Sequence, residues 1–383
     1  MVGDWNYPTA IRFGAGRRRE LAEACRALGL ARPLLVTDRG LADGELVAEV
    51  RALLPAALPH GLFAEVTGNP TQAQVAAGLA CLRGGGHDGV VGLGGGSALD
   101  VAKAIALLAG QRRPLFDFVD DGENWRRADP AGILPVIALP TAAGTGSEVG
   151  RSAVITDAGK TKRVIFHPRM LPALVICDPE LTYGLPPELT AATGMDAFSH
   201  CLEAYCCAGF HPMADAIALR GMALAAEALP RAVRDGRDSE ARATMLAVST
   251  MGATAFQKGL GAMHAMSHPC SARFGTHHGL TNAVLMPYVL SYNRPVIAQK
   301  LAVLARHLGL SRADDAGVLD RLLRLRQEIS IPHRLTALGV PADAAELLAP
   351  LAAADPLSAL NPRPATVADY GELYRRALDG DLS

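Results

Sequence analysis

Residues 89 to 103 constrain the fold of this chain more than any other stretch. Gly89-Val90-Val91-Gly92-Leu93 is an apolar run of strand length. It passes directly into Gly94-Gly95-Gly96-Ser97 and then into an apolar helical pattern from Ala98. A strand that turns through bare glycines into a helix is the repeating unit of a parallel α/β sheet, because parallel neighbours need a crossover and a helix usually supplies it. The same placement lets backbone N–H groups, at the positive end of the helix, meet a diphosphate. Glycines also serve plain tight turns, and the run is not a strict G-x-G-x-x-G, since Ser97 holds its last position. The acidic residue expected about 20 positions later at a strand end is missing too.

The first half of the chain repeats this alternation. Strands are expected at Ala10–Gly14, Pro33–Asp38, Leu62–Val66, Gly89–Leu93, Ile133–Leu139, Ala153–Thr156 and Leu174–Cys177, the last two closing the sheet. Helices are expected at about Arg18–Leu28, Leu46–Leu54 and Thr71–Leu82, and from Ala98. Asp38 ends its strand, where a carboxylate can accept hydrogen bonds from a ribose diol and repel a 2′-phosphate, favouring NAD over NADP. It can equally cap the strand–loop junction. A second cluster, Pro140-Thr141-Ala142-Ala143-Gly144-Thr145-Gly146-Ser147-Glu148, also follows a buried strand. Ligands in open α/β sheets sit at such carboxyl ends, and two clusters there point to a nucleotide held from both sides.

After about Leu185 strand-like alternation stops. Pro186-Pro187-Glu188-Leu189 opens a helix, with proline where a missing N–H is harmless. Helical spacing continues in 217–229, 241–256, 296–308 and 318–329. The reading is an α/β domain over 1–185 and an all-helical domain over 186–383. A chain of 383 residues exceeds one ordinary core in any case.

The helical half carries six of the chain's eleven histidines between residues 196 and 278, His211 being set aside. Asp196 and His200 stand four apart, on one face of a helix. His264 and His268 repeat the spacing, and His277-His278 follow after an expected turn from Pro269 to Gly275. One carboxylate with several imidazoles suits a divalent transition metal, zinc, iron, nickel or copper. Cys201, Cys206 and Cys207 lie close by but are read as small buried apolar residues.

A net charge of −1 with no basic block excludes nucleic acid and anionic membrane surfaces as partners. No run approaches the ~18 apolar residues of a membrane helix, and the first residues have no signal-peptide pattern. Seven cysteines without a CxxC pair suit reduced thiols in a cytoplasm.

Taken together, Gly94-Gly95-Gly96-Ser97-Ala98-Leu99-Asp100-Val101-Ala102-Lys103, the Pro140-to-Glu148 stretch and the Asp196/His200/His264/His278 set resemble the iron-containing (group III) alcohol dehydrogenases of the dehydroquinate synthase-like superfamily. The resemblance implies a two-domain fold, an α/β dinucleotide-binding domain plus an all-α C-terminal domain with the active-site cleft between them. It maps the metal ligands onto Asp196, His200, His264 and His278; His278 is preferred to His277 because the family's last histidine directly precedes a glycine, as in His278-Gly279-Leu280-Thr281-Asn282-Ala283. Gly95, Gly96 and Ser97 match the diphosphate loop, Asp38 and Asn69 the adenosine side, and Asp100, Thr141, Thr145 and Lys162 further cofactor contacts. His268 matches a non-ligand histidine of the cleft, a candidate relay for the alcohol proton or an orienter of a ligand.

By the same resemblance the expected cofactors are NAD(H) and iron(II), with zinc as the alternative metal. The expected activity is hydride transfer between NAD(H) and small alcohols, diols or semialdehydes, with the substrate oxygen polarised by the metal. The expected assembly is a homodimer or larger homo-oligomer. The rival readings are a hydroxyacid-oxoacid transhydrogenase and an NAD-dependent lyase or cyclase of the dehydroquinate synthase type. A nucleotide-binding sensor without turnover stands outside the enzymes altogether. The 116–125 loop and Phe256 are expected near the substrate.

Overall fold

A computed structural model describes residues 8–382. The chain divides after Leu185 into two compact units. The first contains β1 (Ile11–Phe13), α1 (Leu21–Ala27), β2 (Pro33–Asp38), α2 (Glu45–Ala52), β3 (Gly61–Val66), α3 (Gln72–Gly84), β4 (Gly89–Gly94), α4 (Gly96–Leu108), β5 (Val136–Pro140), β6 (Ser152–Thr156), β7 (Lys162–Phe166) and β8 (Leu174–Cys177).

Six of these strands form one wholly parallel sheet in the order β1-β8-β5-β4-β2-β3. The inner strands are buried on both faces, which is why they read as unbroken apolar runs. Alternate residues feed two cores. Leu34, Val36 and Val90 pack with Val75, Leu82, Val101 and Ile105 of α3 and α4. Leu35, Val91 and Leu93 pack with Leu21, Val47 and Val50 of α1 and α2.

From β2 the chain proceeds outward to β3, whereas from β4 it proceeds outward to β5 on the other side. The strand order therefore reverses between β2 and β4, and the crevice beyond their carboxyl ends is where doubly wound sheets receive ligands.

One strand expected to close this sheet does not join it. β6 pairs antiparallel with β7, a strand the apolar pattern does not reveal, as a separate two-stranded ribbon. β7 opens with Lys162-Arg163, and only Ile165 of it is fully buried. An alternation so weakly apolar gives little strand signal.

The second unit is helical: α5 (Pro187–Cys206), α6 (Pro212–Arg234), α7 (Ser239–Ala255), α8 (Ala262–Phe274), α9 (His278–His307), α10 (Asp315–Glu328), α11 (Ala345–Ala353) and α12 (Val367–Asp379). α5 is the axis of this unit. It packs against α6, α7 and α9 and is buried almost throughout from Thr190 to Cys206. Among the described residues no helix is long and apolar enough to cross a membrane.

Two expectations need correction here. Pro269 lies inside α8 rather than in a turn, and the chain turns only at Gly275, whose φ of 69° is left-handed. The neighbouring carbonyl of Met266 accepts a hydrogen bond from Tyr374 Oη at 2.6 Å, so packing from α12 supports the interrupted turn. α9 also begins far earlier than the apolar spacing after 296 suggests. Its internal Pro287 and Pro295 mask one continuous 30-residue helix.

Candidate metal centre and dinucleotide site

In the helical unit, α5 carries Asp196 and His200 on one stripe, α8 carries His264 and His268, and α9 starts at His278. Ligand atoms of Asp196, His200 and His264 all lie within 4.8 Å of one another. His278 Nε2 joins them at 3.8 Å from Asp196 Oδ1, and His200 Nε2 lies 4.0 Å from the same oxygen. The rings of His200 and His264 stack at 4.9 Å, and His264 meets His278 at 5.2 Å. His277 behaves differently. It is exposed and caps α9, its Nδ1 accepting from the Leu280 N–H at 3.4 Å. His211 is likewise an N-cap, of α6.

The approach of α9 to α5 explains the residue after His278. A Cβ on Gly279 would lie 2.4 Å from the Ala192 carbonyl oxygen and 2.8 Å from Asp196 Cβ, so any larger residue would push His278 off the cluster.

The site is short of positive charge. The side-chain nitrogen of Asn282 lies 2.9 Å from Asp196 Oδ1, 3.1 Å from His264 Nε2 and 3.2 Å from His278 Nε2. Its two amide protons face one carboxylate oxygen and two imidazole nitrogens, more potential acceptors than they can serve. A carboxylate and imidazole lone pairs focused on one point, nearly dry, fit a divalent cation in donor type and number.

Three supporting side chains are not among the residues expected from the sequence. Glu203 Oε2 lies 2.6 Å from His264 Nδ1. Ser267 Oγ lies 2.9 Å from His278 Nδ1, and Asp355 Oδ2 lies 2.8 Å from His268 Nδ1. Glu203 had a legible signal, since it continues the Asp196/His200 stripe at i+7; Asp355 had none, being 87 residues from its partner. His268 stacks on His278 at 5.5 Å and is only partly buried. Phe256 packs edge-on to His200 at 5.1 Å. Burial pushes the thiols of Cys201, Cys206 and Cys207 up to about 12, in keeping with inert core positions.

In the α/β unit the candidate cofactor residues collect at the carboxyl ends of four adjacent strands. Asn69 follows β3 with a left-handed φ of 54°, Asp38 ends β2, Gly95-Gly96-Ser97 follow β4, and Thr141 follows β5. Gly95 is the N-cap of α4 and, as a glycine, offers no side-chain cap to the first turn, whose N–H groups are of the kind that bind a phosphate; the Gly95 N–H itself donates to Asp38. The two glycine clusters touch. The Thr141 N–H donates to the Gly94 carbonyl at 3.0 Å, and a Cβ on Gly96 would lie 2.5 Å from Thr145 Cγ2. Lys162 pairs with Thr156, which bridges to Thr71 beside Asn69.

Asp100 does different work. Its carboxylate accepts from Ser147 Oγ at 2.6 Å and the Val154 N–H at 2.8 Å, and faces Lys103 Nζ at 3.2 Å. The buried Lys103 ammonium also donates to the carbonyls of Ser147 and Ser152. Together they pin the second glycine cluster to α4.

Asp38 spans the switch point, its Oδ2 accepting from the Gly95 N–H at 3.2 Å. Burial pushes its carboxyl up to about 6, against the opposing pull of the Gly95 hydrogen bond.

Comparison with known proteins bears on the whole chain. The family profile described as iron-containing alcohol dehydrogenase matches residues 8–179, and that of the family's C-terminal region matches residues 190–378. A 4-hydroxybutyrate dehydrogenase of Cupriavidus necator is 40% identical over 97% of this chain and 99% of its own. The crystal structure of a 1,3-propanediol oxidoreductase superposes with a TM-score of 0.93 at 33% identity, covering 99% of this chain and 100% of that one. A sulfoacetaldehyde reductase from Bifidobacterium kashiwanohense, solved in complex with NAD+, superposes with a TM-score of 0.90 at 30% identity, covering 98% and 99%.

Proposed function

The chain belongs to the iron-containing alcohol dehydrogenase family, and within it we propose an NAD(H)-linked dehydrogenase of small alcohols, diols or semialdehydes whose helical unit holds the metal and whose α/β unit holds the dinucleotide. The observation that carries the metal assignment is the convergence of Asp196 Oδ1, His264 Nε2 and His278 Nε2 on the amide of Asn282. Asp196, His200, His264 and His278 would hold the cation. When bound, iron(II) or zinc supplies Lewis-acid polarisation of the substrate oxygen and NAD(H) supplies or takes the hydride.

The protein's own residues do the rest. Backbone N–H groups at the start of α4 bind the diphosphate, and Thr141 and Thr145 close on it from the second loop. Asp38 and Asn69 receive the adenosine ribose, with Lys162 beside them. His268, its Nδ1 turned to Asp355, keeps Nε2 to hold the alcohol proton and pass it to water. Phe256 excludes water beside His200. A 4-hydroxybutyrate dehydrogenase relative makes short semialdehydes the first substrates to test. None of the seven cysteines is in a disulfide and six are buried, which suits a cytoplasmic enzyme; a dimer or larger homo-oligomer is checked by light scattering.

The deciding experiment is NADH oxidation with a panel of short aldehydes, using protein stripped by chelator and resupplied anaerobically with iron(II) or zinc. Activity restored by metal supports the proposal and ranks the substrates. Tight binding of metal and NAD+ without any NADH loss would overturn it in favour of the lyase or transhydrogenase.

A further inference from the structure

We propose that Glu203 is the positioning residue of the metal centre: it holds His264 in its ligating tautomer and locks that ring to the first turn of α8. The inference rests on the ligand assignment above. Glu203 is only 5% exposed, yet no lysine or arginine pairs with it among the described ion pairs. Its two oxygens receive three N–H donors. Oε2 takes the Gly261 N–H at 3.0 Å and faces His264 Nδ1 at 2.6 Å, and Oε1 takes the Met263 N–H at 2.7 Å. A side chain of α5 thus caps the start of α8 from outside that helix, which has no capping side chain of its own at Gly261.

The capped carboxylate can only accept, so the proton of His264 sits on Nδ1. The lone pair is then on Nε2, the atom that faces Asp196 and Asn282. The hydroxyl of Ser267 beside His278 can donate or accept and leaves that ring's tautomer open. The Nδ1 contact of His264, by contrast, is with an acceptor-only group.

An isosteric amide cannot reproduce this arrangement. With its oxygen at the Oε2 position, a glutamine sets its NH2 against the Met263 N–H. Turned over, it sets the NH2 against both the Gly261 N–H and His264 Nδ1, which drives the imidazole proton onto Nε2 and removes the ligand. Three donors on two atoms require a carboxylate.

Asn361 provides the control. Its Oδ1 accepts the next N–H of the same helix turn, that of Ala262, at 3.1 Å, and it has no hydrogen bond to His264. The test titrates cobalt(II) into metal-free protein, reading d–d absorbance and competition with a chelator, alongside the melting temperature of the metal-free form.

Glu203→Gln is expected to lose about 10–100-fold in cobalt affinity and to weaken the ligand-field bands. Asn361→Ala should lower the metal-free melting temperature and leave cobalt affinity unchanged. Glu203→Asp, which keeps an acceptor-only group but draws it one methylene back from His264, should lose less affinity than Glu203→Gln. If the glutamine variant does not fold, the aspartate variant carries the test, its affinity expected below the parent's and a parent-like value overturning the proposal. Parent-like affinity in Glu203→Gln, or an equal loss in Asn361→Ala, overturns the proposal. Asp196→Ala in the same titration separates the two levels. If it loses cobalt while Glu203→Gln does not, only the role of Glu203 falls. If Asp196→Ala also binds normally, the ligand assignment itself falls.

Discussion

Asp38 should make the metal- and cofactor-free protein less stable as pH rises, and Asp38→Asn should abolish that loss. The carboxyl of Asp38 ordinarily titrates near 3.8, whereas burial at the β2–β4 switch point moves it to about 6. The native state therefore holds a proton that the unfolded chain has already released. Stability from this group is whole below about pH 4 and is lost as pH rises through about 6. The two-unit difference corresponds to at most about 3 kcal/mol, roughly half of it already gone by pH 5. An asparagine in its place does not titrate, and its amide oxygen can still accept the Gly95 N–H. The stability advantage of Asp38→Asn should widen by roughly 1.5 kcal/mol between pH 5 and pH 8. Urea unfolding followed by tryptophan fluorescence suits the measurement, because Trp125 lies in the α/β unit and residues 186–383 contain no tryptophan. NADH affinity should move the other way, falling about 10–100-fold on loss of charge-assisted bonds to the ribose, while discrimination against NADPH narrows. Parallel pH–stability curves for the two proteins would refute the reasoning.

Other perturbations probe the remaining parts. Gly96→Ala places a methyl group 2.5 Å from Thr145 Cγ2 and should weaken NADH binding about tenfold by forcing the two loops apart, with cobalt affinity retained; equilibrium fluorescence titration reads it. Gly279→Ala meets the Ala192 carbonyl at 2.4 Å, a backbone atom that cannot yield. It should lower stability by about 3 kcal/mol and deplete bound metal, as shown by metal analysis of purified protein. His268→Gln should lower kcat by about 10²-fold with NADH affinity unchanged, and Asp355→Asn should shift kcat in the same direction; a parent-like kcat for both would remove the proton relay.

Much of the fold was legible because the physics acts along the chain. β2, β4, β5 and β8 are buried on both faces, so each reads as a short apolar run, and for Pro33–Asp38 the expected and observed strand agree to the residue. The β6–β7 ribbon escaped because its burial is partial and its second strand opens with two cations. The length of α9 escaped because proline is read as a stop, whereas an interior residue of a packed bundle can lose one backbone hydrogen bond and remain helical.

At the metal site the legible residues and the hidden ones divide by what their partners are. Asp196 with His200 and His264 with His268 are drawn from a short list of residue types at helical spacing, so type and interval mark them as candidates, whereas the four-residue set, with His278 in place of His277, comes from the family resemblance. Glu203 fits the same stripe, but a glutamate on a helix ordinarily reads as a solvated charge. What makes it different is that two of its three donors are main-chain N–H groups of Gly261 and Met263, which every sequence contains and no residue pattern marks. Asn282 is hidden for a related reason, since its amide gains meaning only from three acceptors supplied by three helices. Ligand identity is thus written locally. The contacts that orient His264, His268 and His278 exist only once the helical unit has packed, so variants at the holders should separate metal affinity from folding in a way that ligand variants cannot.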